Sequence, residues 1–275
     1  RGVYILNKNI PKDKIKLMIK EIKKKFSNYI IEEYLPGRSI DGNAVMINGK
    51  FYFAGIFEKF ISPEPHRLPL GGQVPANIGK KLLNQFKKKF NKTCNALNIN
   101  NGVVKIDTIL FNKKFYILET ATRLHGDVGT VNLQNFSSGI NVFNFLFDYW
   151  KNKKINTSYL KLKIKKHGFW NVLMVPPTFK LKKINSIPKV FTKIWINKKF
   201  NLNKKSYNNT SQIPGYVCCV TKKKSEIINY SKILYNKIYY GRKNEAKRKS
   251  NAWYKELNKY FKDNNIDPKI NVYFS

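Results

Sequence analysis

From residue 103 to residue 126 the chain reads VVKIDTILFNKKFYILETATRLHG. Two runs rich in β-branched and aromatic residues, 103–111 and 115–119, are separated by three polar residues, and this pattern predicts a β-hairpin. Asp107 lies in the first predicted strand and Glu119 ends the second. Because strand partners in a hairpin lie about 5 Å apart, two carboxylates on one face can share divalent ions.

Carboxylate oxygens suit Mg²⁺, which usually takes one or two of them and completes its shell with substrate phosphates. Arg123 follows Glu119 by four residues, at the mouth of the same hairpin, where a guanidinium can hold a carboxylate or a phosphoryl group. The alternative is that Asp107 and Glu119 are solvent-facing strand residues and that Arg123 is their salt-bridge partner. Spacing alone favours this alternative, but with only 16 Asp and Glu in 275 residues the placement of these two is informative.

The composition predicts a folded but strongly basic protein. Lys and Arg number 53, which gives a formal charge of +37, while 42% of the residues are hydrophobic and 14% aromatic, too many for intrinsic disorder. The excess charge is mostly lysine spread through the whole chain, and no Arg-rich helix, zinc knuckle or aromatic RNA-binding motif accompanies it. Compositional drift explains this pattern better than nucleic-acid binding, which the sequence does not favour.

The sequence also predicts where in the cell the protein lies and whether its cysteines are oxidised. No window approaches the roughly 18 consecutive apolar residues of a spanning helix, and residues 1–4 lack the pattern of a signal peptide. We therefore expect a cytoplasmic protein without a membrane partner. Cys94, Cys218 and Cys219 match neither a metal-ligand spacing nor an even disulfide framework, and we expect reduced core thiols.

Periodicity and turn residues predict the remaining elements. Before the hairpin we predict a strand at 3–6, an amphipathic helix over 12–26, a strand at 29–31, strands 44–47 and 51–56 joined by Asn48-Gly49, a loop over 62–75, and a helix from Asn77 to about Leu97. After it we predict a polar loop with Gly126, Gly129 and Gly139, a helix over 140–150, a strand at 216–220, and helices near 225–240 and 243–262. We expect a domain boundary close to 155, which divides the chain into 1–154 and 155–275.

Several stretches, taken in order, resemble the ATP-grasp superfamily, and specifically its carboxylate–amine ligase and biotin-carboxylase-like branch. Residues 31–38, IEEYLPGR, resemble the strand and linker that hold adenine. Residues 55–59, GIFEK, resemble the strand after the first hairpin, and residues 71–75, GGQVP, the substrate-side loop. Residues 106–108 together with 115–126 resemble the metal-binding hairpin and its Glu-x-Asn-x-Arg ending.

The resemblance covers roughly residues 1 to 150. It implies an α+β fold, an antiparallel sheet flanked by helices, with a smaller C-terminal α/β region. It implies binding of ATP and of Mg²⁺, with two ions expected. The residues with implied roles are Glu32, Glu33, Tyr34 and Leu35 for the adenine through the backbone, Asp107 and Glu119 for the metal, and Arg123 and Lys59 for the reacting groups. For Lys59 a plain surface position is an equal alternative, and for His66, His125 and His167 a structural role is favoured.

Three departures from the superfamily pattern stand out. Its usual Asn two residues after the second metal-binding Glu is Ala121 here, which weakens the expected second metal site. Ser39 and Asp41 stand where the superfamily often has an acidic residue and a serine, so contacts to the ribose or metal shell are open. The superfamily's upstream ATP-binding lysines, its phosphate loop and its preceding α/β domain have no counterpart in this sequence. We therefore expect a truncated chain or one piece of a split protein.

The leading hypothesis is an ATP-dependent ligase that joins a carboxylate to an amine through an acyl phosphate, so its partners would be ATP, a small carboxylate and an amine. One alternative keeps the fold and activates bicarbonate, as a carboxylase or carbamoyl-type enzyme. Another is a non-catalytic nucleotide- or nucleic-acid-binding protein. The sequence leaves substrate identity and oligomeric state open, a homodimer being one option.

Overall fold

The computed structural model of the chain describes residues 5–6, 10–61, 69–126, 128–163, 165–172, 180–181, 191–196, 215–222 and 239–240. The helices among these residues are α1 (Lys12–Lys25), α2 (Lys80–Ala96), α3 (Val128–Ser138) and α4 (Val142–Asn152), with a 3₁₀ helix at Thr157–Leu160. The strands are β1 (Arg38–Ile47), β2 (Lys50–Ile61), β3 (Pro69–Val74), β4 (Gly102–Phe111), β5 (Lys114–Ala121), β6 (His167–Val172), β7 (Lys180–Leu181), β8 (Phe191–Ile196), β9 (Gly215–Thr221) and β10 (Tyr239–Tyr240).

Eight of these strands form one antiparallel sheet in the order β5-β4-β1-β2-β3-β6-β9-β8. Helices lie against it, so the predicted α+β class with an antiparallel sheet is confirmed. The boundary predicted near residue 155 falls between α4 and β6, and β6 hydrogen-bonds to β3 of the same sheet. The division into 1–154 and 155–275 therefore stays a prediction.

Helices cover the two faces of the sheet because adjacent strand residues point to opposite faces. On one face Ile40, Ala44 and Met46 pack with Phe86 and Phe90 of α2. The opposite face has two further clusters: Val45, Ile47, Tyr52 and Ala54 pack on α4 through Val142, Phe145 and Leu146, and Phe57, Val74, Trp170 and Cys218 pack on Leu133 of α3. The middle strands are therefore buried on both sides.

A β-bulge in the β1–β2 pair keeps the side chains of paired residues on matching faces of the sheet on both sides of the bulge. The register shifts between Asn43 and Ala44, where Gly55 of β2 has a φ of +131°. A Cβ at Gly55 would lie 1.4 Å from Nε2 of Gln134, so only glycine lets the α3 side chain lie over the sheet here.

The two hairpins form as the sequence predicts. The β1–β2 turn uses Asn48 and Gly49, both with positive φ, as the favoured two-residue hairpin turn requires. The β4–β5 turn uses Asn112 and Lys113, again both with positive φ. Helix α1, α4 and strand β9 also lie close to their predicted ranges.

Some elements differ from the predictions. No strand forms at 29–31, where Ile30 and Ile31 are highly exposed, because this stretch has no pairing partner in the described residues. The predicted loop over 62–75 contains β3, whose Gly72 lets the backbone approach Glu58 and Trp170. A Gly- and Pro-rich stretch thus forms a strand between two neighbours, since glycine also serves close backbone approach.

Two helix predictions are also corrected. Helix α2 begins after Gly79 rather than at Asn77, whose backbone instead bonds to Glu58 and Arg38. Helix α3 forms where the glycines predicted a loop, because Leu133 finds an apolar site against β6. Most of the predicted helix over 225–240, the helix over 243–262, most of the strand at 3–6, and His66 lie outside the described residues. The last two residues of the first of these helices, Tyr239–Tyr240, form strand β10 instead, where they pair with β7.

All three cysteines are buried free thiols, as predicted. Burial raises the pKa of Cys94 to about 11 and that of Cys219 to about 12, so both thiols stay protonated. Among the described helices, none combines the length and the hydropathy that a bilayer-spanning segment requires.

Candidate functional site

Strand register gathers three carboxylates on the sheet face opposite α2. In the β1–β4 pair Asp107 is directly opposite Asp41, and in the β4–β5 pair Asp107 is directly opposite Glu119. Paired residues of antiparallel strands point to the same face. The prediction that Asp107 and Glu119 lie close together on one face of a hairpin is therefore confirmed, and Asp41 extends the row.

Lys105 connects the two predicted metal ligands. Its Nζ lies 2.6 Å from Asp107 Oδ2 and 2.5 Å from Glu119 Oε1. The Lys105 side chain is only 4% exposed, whereas that of Glu119 is 59% exposed. The cluster is thus closed on the side of β1 and open to solvent on the side of β5.

Lys59 reaches the same carboxylates from β2. Its Nζ lies 2.8 Å from Asp41 Oδ2 and 3.6 Å from Asp107 Oδ1. Asp41 is fully buried, and its Oδ1 also accepts a hydrogen bond from the backbone N–H of Thr108. The ammonium of Lys59 is consequently held at a fixed place beside Asp107.

His125 completes the cluster from the loop after β5. Its Nε2 lies 2.6 Å from Asp107 Oδ1, and its Nδ1 lies 2.9 Å from Asn43 Oδ1. The same Asn43 oxygen accepts the backbone N–H of His125 at 3.1 Å, which identifies it as the acceptor. Both ring nitrogens therefore face oxygen atoms, so the ring is held from both sides and donates at least one of these two hydrogen bonds in either tautomer.

Burial and charge act in opposite directions on the two aspartates. Burial raises the pKa of Asp41 to about 7, against the lowering effect of the Lys59 ammonium. Burial would also raise the pKa of Asp107. There the hydrogen bonds from His125 and Lys105 prevail and, with the charge of Lys59, hold the pKa of Asp107 well below its usual range. Asp107 is therefore a stable anion in the folded protein.

A second ionic network lies on the α2 face. Glu58 is fully buried and accepts two hydrogen bonds from Arg38, at 2.7 and 2.8 Å. Gln73 Nε2 donates to Glu58 at 2.6 Å, and the backbone N–H of Asn77 donates at 3.4 Å. Arg38 also donates to the Asn77 carbonyl, so this network ties β1 and β2 to the segment before α2.

Comparison with solved structures decides the fold. An L-amino acid ligase from Bacillus licheniformis superposes with a TM-score of 0.66 at 15% identity, over 82% of this chain and 59% of that one. A phosphoribosylglycinamide synthetase from Anaerococcus prevotii gives 0.61 at 17%, over 84% and 61%. A biotin carboxylase–βγ-ATP complex from Campylobacter jejuni gives 0.57 at 15%, over 88% and 55%.

The chain has an ATP-grasp fold. It spans about three fifths of the length of the structures it matches. No protein-family model matches the sequence, and no curated protein matches it.

Within this ATP-grasp fold the predicted site residues fall into two groups. Asp107, Glu119 and Lys59 meet in the cluster described above. Arg123 is exposed and donates to the Leu124 carbonyl at 3.1 Å, and within the described part of the chain it makes no contact with the cluster. Glu32, Glu33, Tyr34 and Leu35 lie in the irregular segment between α1 and β1.

The sequence analysis missed two residues of the site, Asn43 and Lys105, and left the contacts of Asp41 open. Their signal was strand alternation: Lys105 and Asp107 share a face, as do Asp41 and Asn43. Only the pairing of β1 with β4 joins these two sets, and nothing local in the sequence shows that pairing. His125 was assigned a structural role, whereas its ring contacts Asp107 directly.

The donor set fits a hard divalent cation, because Asp107 and Glu119 supply carboxylate oxygens and Glu119 is open to solvent. It fits one ion better than two. Ala121, directly opposite Lys105 in the β4–β5 pair, offers no oxygen from its side chain, and the Lys105 ammonium already lies between the carboxylates.

Proposed function

We propose that this chain carries the metal- and ATP-binding part of an ATP-dependent ligase that joins a carboxylate to an amine. The observation that carries the proposal is the direct pairing of Asp107 with Glu119 on one face of the β4–β5 hairpin, within an ATP-grasp fold. Two neighbouring carboxylates that open to solvent are suited to a metal-bound polyphosphate.

Asp107 and Glu119 would hold Mg²⁺, which when bound neutralises phosphate charge during transfer. Asp107 is positioned for this by His125, Lys59 and Lys105, which fix both of its oxygens and keep it ionised. Among the residues that the structure describes, the Glu119 side chain has one ion-pair partner, Lys105, and because this side chain is exposed it can turn toward a ligand.

The adenine would lie against residues 32–35, through the backbone groups of Glu32 and Leu35. This segment is outside any helix or strand of the described chain, so sheet pairing does not occupy its backbone. Adenine presents a hydrogen-bond donor beside an acceptor, which an extended main-chain segment can match. Glu33 and Tyr34 lie between these two positions.

In the proposed reaction an oxygen of the substrate carboxylate attacks the γ-phosphorus of ATP. The bond from that phosphorus to the β–γ bridging oxygen breaks, and ADP leaves. The amine nitrogen then attacks the acyl carbon of the acyl phosphate, loses a proton, and displaces inorganic phosphate. Positioning and charge neutralisation supply most of such catalysis.

Two cations are proposed to hold the substrate side. Lys59 is fixed by Asp41 and leaves its ammonium partly exposed beside Asp107. Arg123 is exposed at the mouth of the hairpin, where its guanidinium can turn to a substrate carboxylate or acyl phosphate. Two of the similar structures are an L-amino acid ligase and a phosphoribosylglycinamide synthetase, which makes amino acids the first substrates to test.

The test is ADP formation by the wild-type chain with MgATP and pairs of amino acids, small carboxylates and amines. We expect ADP that depends on a carboxylate, and a loss of about 100-fold or more in Glu119→Ala. Glu21→Ala, an exposed glutamate of α1, is the matched control and should act as wild type.

Three results would contradict the proposal. ADP formation by Glu119→Ala at the wild-type rate would refute the proposed metal site. ADP release that responds to bicarbonate but not to amino acids would favour the carboxylase alternative. Salt-dependent binding of RNA or DNA that survives Glu119→Ala, without ADP formation, would favour a nucleic-acid-binding protein.

A further inference from the structure

The ammonium of Lys105 lies between two carboxylates that are candidates for a metal. Its Nζ is within 2.6 Å of Asp107 and 2.5 Å of Glu119, in a nearly inaccessible position. A lysine ammonium is a compact charge with three donors, so it can satisfy both carboxylates at once. A divalent ion on the same two oxygens would have to displace it.

The space for this side chain comes from its partner strand. Lys105 faces Ala121 across the β4–β5 pair, and Ala121 leaves room that a longer side chain would fill. On its other side Lys105 faces Asn43, whose side chain is turned to His125. The lysine is therefore enclosed by small or already bonded neighbours rather than lying on the surface.

The charges already present in the cluster limit how strongly it can bind a further cation. The ammonium groups of Lys59 and Lys105 already lie against the carboxylates of Asp41, Asp107 and Glu119. These two charges offset most of the negative charge that would attract a free divalent ion. An ion gains a favourable site only when nucleotide phosphates bring their own negative charge.

We propose that Lys105 is a fixed cation that takes the place of one of two divalent ions, so that the chain binds a single divalent ion, and only together with nucleotide phosphates. The inference rests on the proposed function for the identity of the phosphate ligand. It adds a built-in ammonium as part of the phosphate site and replaces the expected second ion with this ammonium.

The experiment counts bound Mn²⁺ per chain by electron paramagnetic resonance, with and without a non-hydrolysable ATP analogue whose binding is measured separately. Wild type should bind one ion with the analogue and none without it in the micromolar range. Lys105→Met keeps the apolar stem and removes the charge. It should bind Mn²⁺ without nucleotide at least about tenfold more tightly than wild type, and two ions with nucleotide. Lys114→Met, an exposed lysine of the same hairpin, is the control and should match wild type.

Two ions bound by wild type with the analogue would overturn the inference and leave the proposed function standing. The same holds if Lys105→Met folds and its Mn²⁺ affinity and ion count equal those of wild type. Failure of the analogue itself to bind would refute the proposed function and the inference together. Should Lys105→Met not fold, the wild-type count decides alone.

Discussion

Each face of the sheet carries carboxylates that are paired with cations, but the two groups differ in how far solvent reaches them. On the α2 face Glu58 is fully buried, and Arg38, Gln73 and the Asn77 backbone supply its hydrogen bonds. On the other face Asp107 is likewise held by cations, but its neighbour Glu119 is mostly exposed and has a single ion-pair partner within the described ranges, Lys105.

The difference separates a structural ion pair from a site that can accept a ligand. A buried carboxylate that already accepts four hydrogen bonds, as Glu58 does, takes a new partner only by weakening an old one. Glu58 therefore joins strands to the segment before α2 and does no more. Glu119 can exchange its lysine for a ligand at little cost, because solvent already reaches it.

The largest effect on stability should come from Glu58→Ala. It leaves Arg38 without its carboxylate and the Gln73 amide without an acceptor, and breaking such a buried pair costs about 3–5 kcal/mol. Urea unfolding measures this cost. Glu119→Ala serves as the comparison and should change the free energy of unfolding by about 1 kcal/mol or less, because Glu119 is mostly exposed and Lys105 keeps its ion pair with Asp107. Equal losses in the two variants would erase the distinction between the clusters.

A smaller loss in the free energy of unfolding is expected for Asn43→Ala. Its side-chain oxygen accepts the buried backbone N–H of His125, and an unsatisfied donor of this kind costs about 1–3 kcal/mol. Thermal or urea unfolding reports the loss. Asn152→Ala, which removes an exposed hydrogen bond to Asp148, is the matched control and should stay within about 0.5 kcal/mol of wild type. If Asn43→Ala were as mild as its control, Asn43 would not be what holds His125 in the cluster.

The sequence predicts the parts of this molecule that depend on neighbouring residues. Both hairpins follow from alternating apolar residues and from turns such as Asn48-Gly49, and with them comes the pairing of Asp107 with Glu119. The residues at 29–31 have the composition of a strand, but composition supplies no partner to pair with. Local pattern is therefore reliable here only where the pairing partner is also local.

The rest of the site depends on register between distant strands. Asp41 reaches Asp107 across the β1–β4 pair, 66 residues apart in the chain, and a slip of one residue would turn it to the α2 face. His125 is placed by Asn43, a contact across 82 residues of the chain. Strand β3 was missed because its Gly72 serves close approach to Glu58 and Trp170 rather than a turn. Helix α3 was missed because the residues that Leu133 packs on, such as Phe57 and Trp170, belong to distant strands.

Calorimetric binding of ATP with Mg²⁺ and with a chelator tests the central claim most directly. A chain with a formal charge of +37 attracts free ATP more strongly than the less charged MgATP, if non-specific attraction is all there is. A metal site at Asp107 and Glu119 reverses that order. We predict that wild type binds MgATP at least about tenfold more tightly than ATP in chelator, and that Asp107→Asn combined with Glu119→Gln loses this preference. Tighter binding without Mg²⁺, in wild type as in the double variant, would contradict the account.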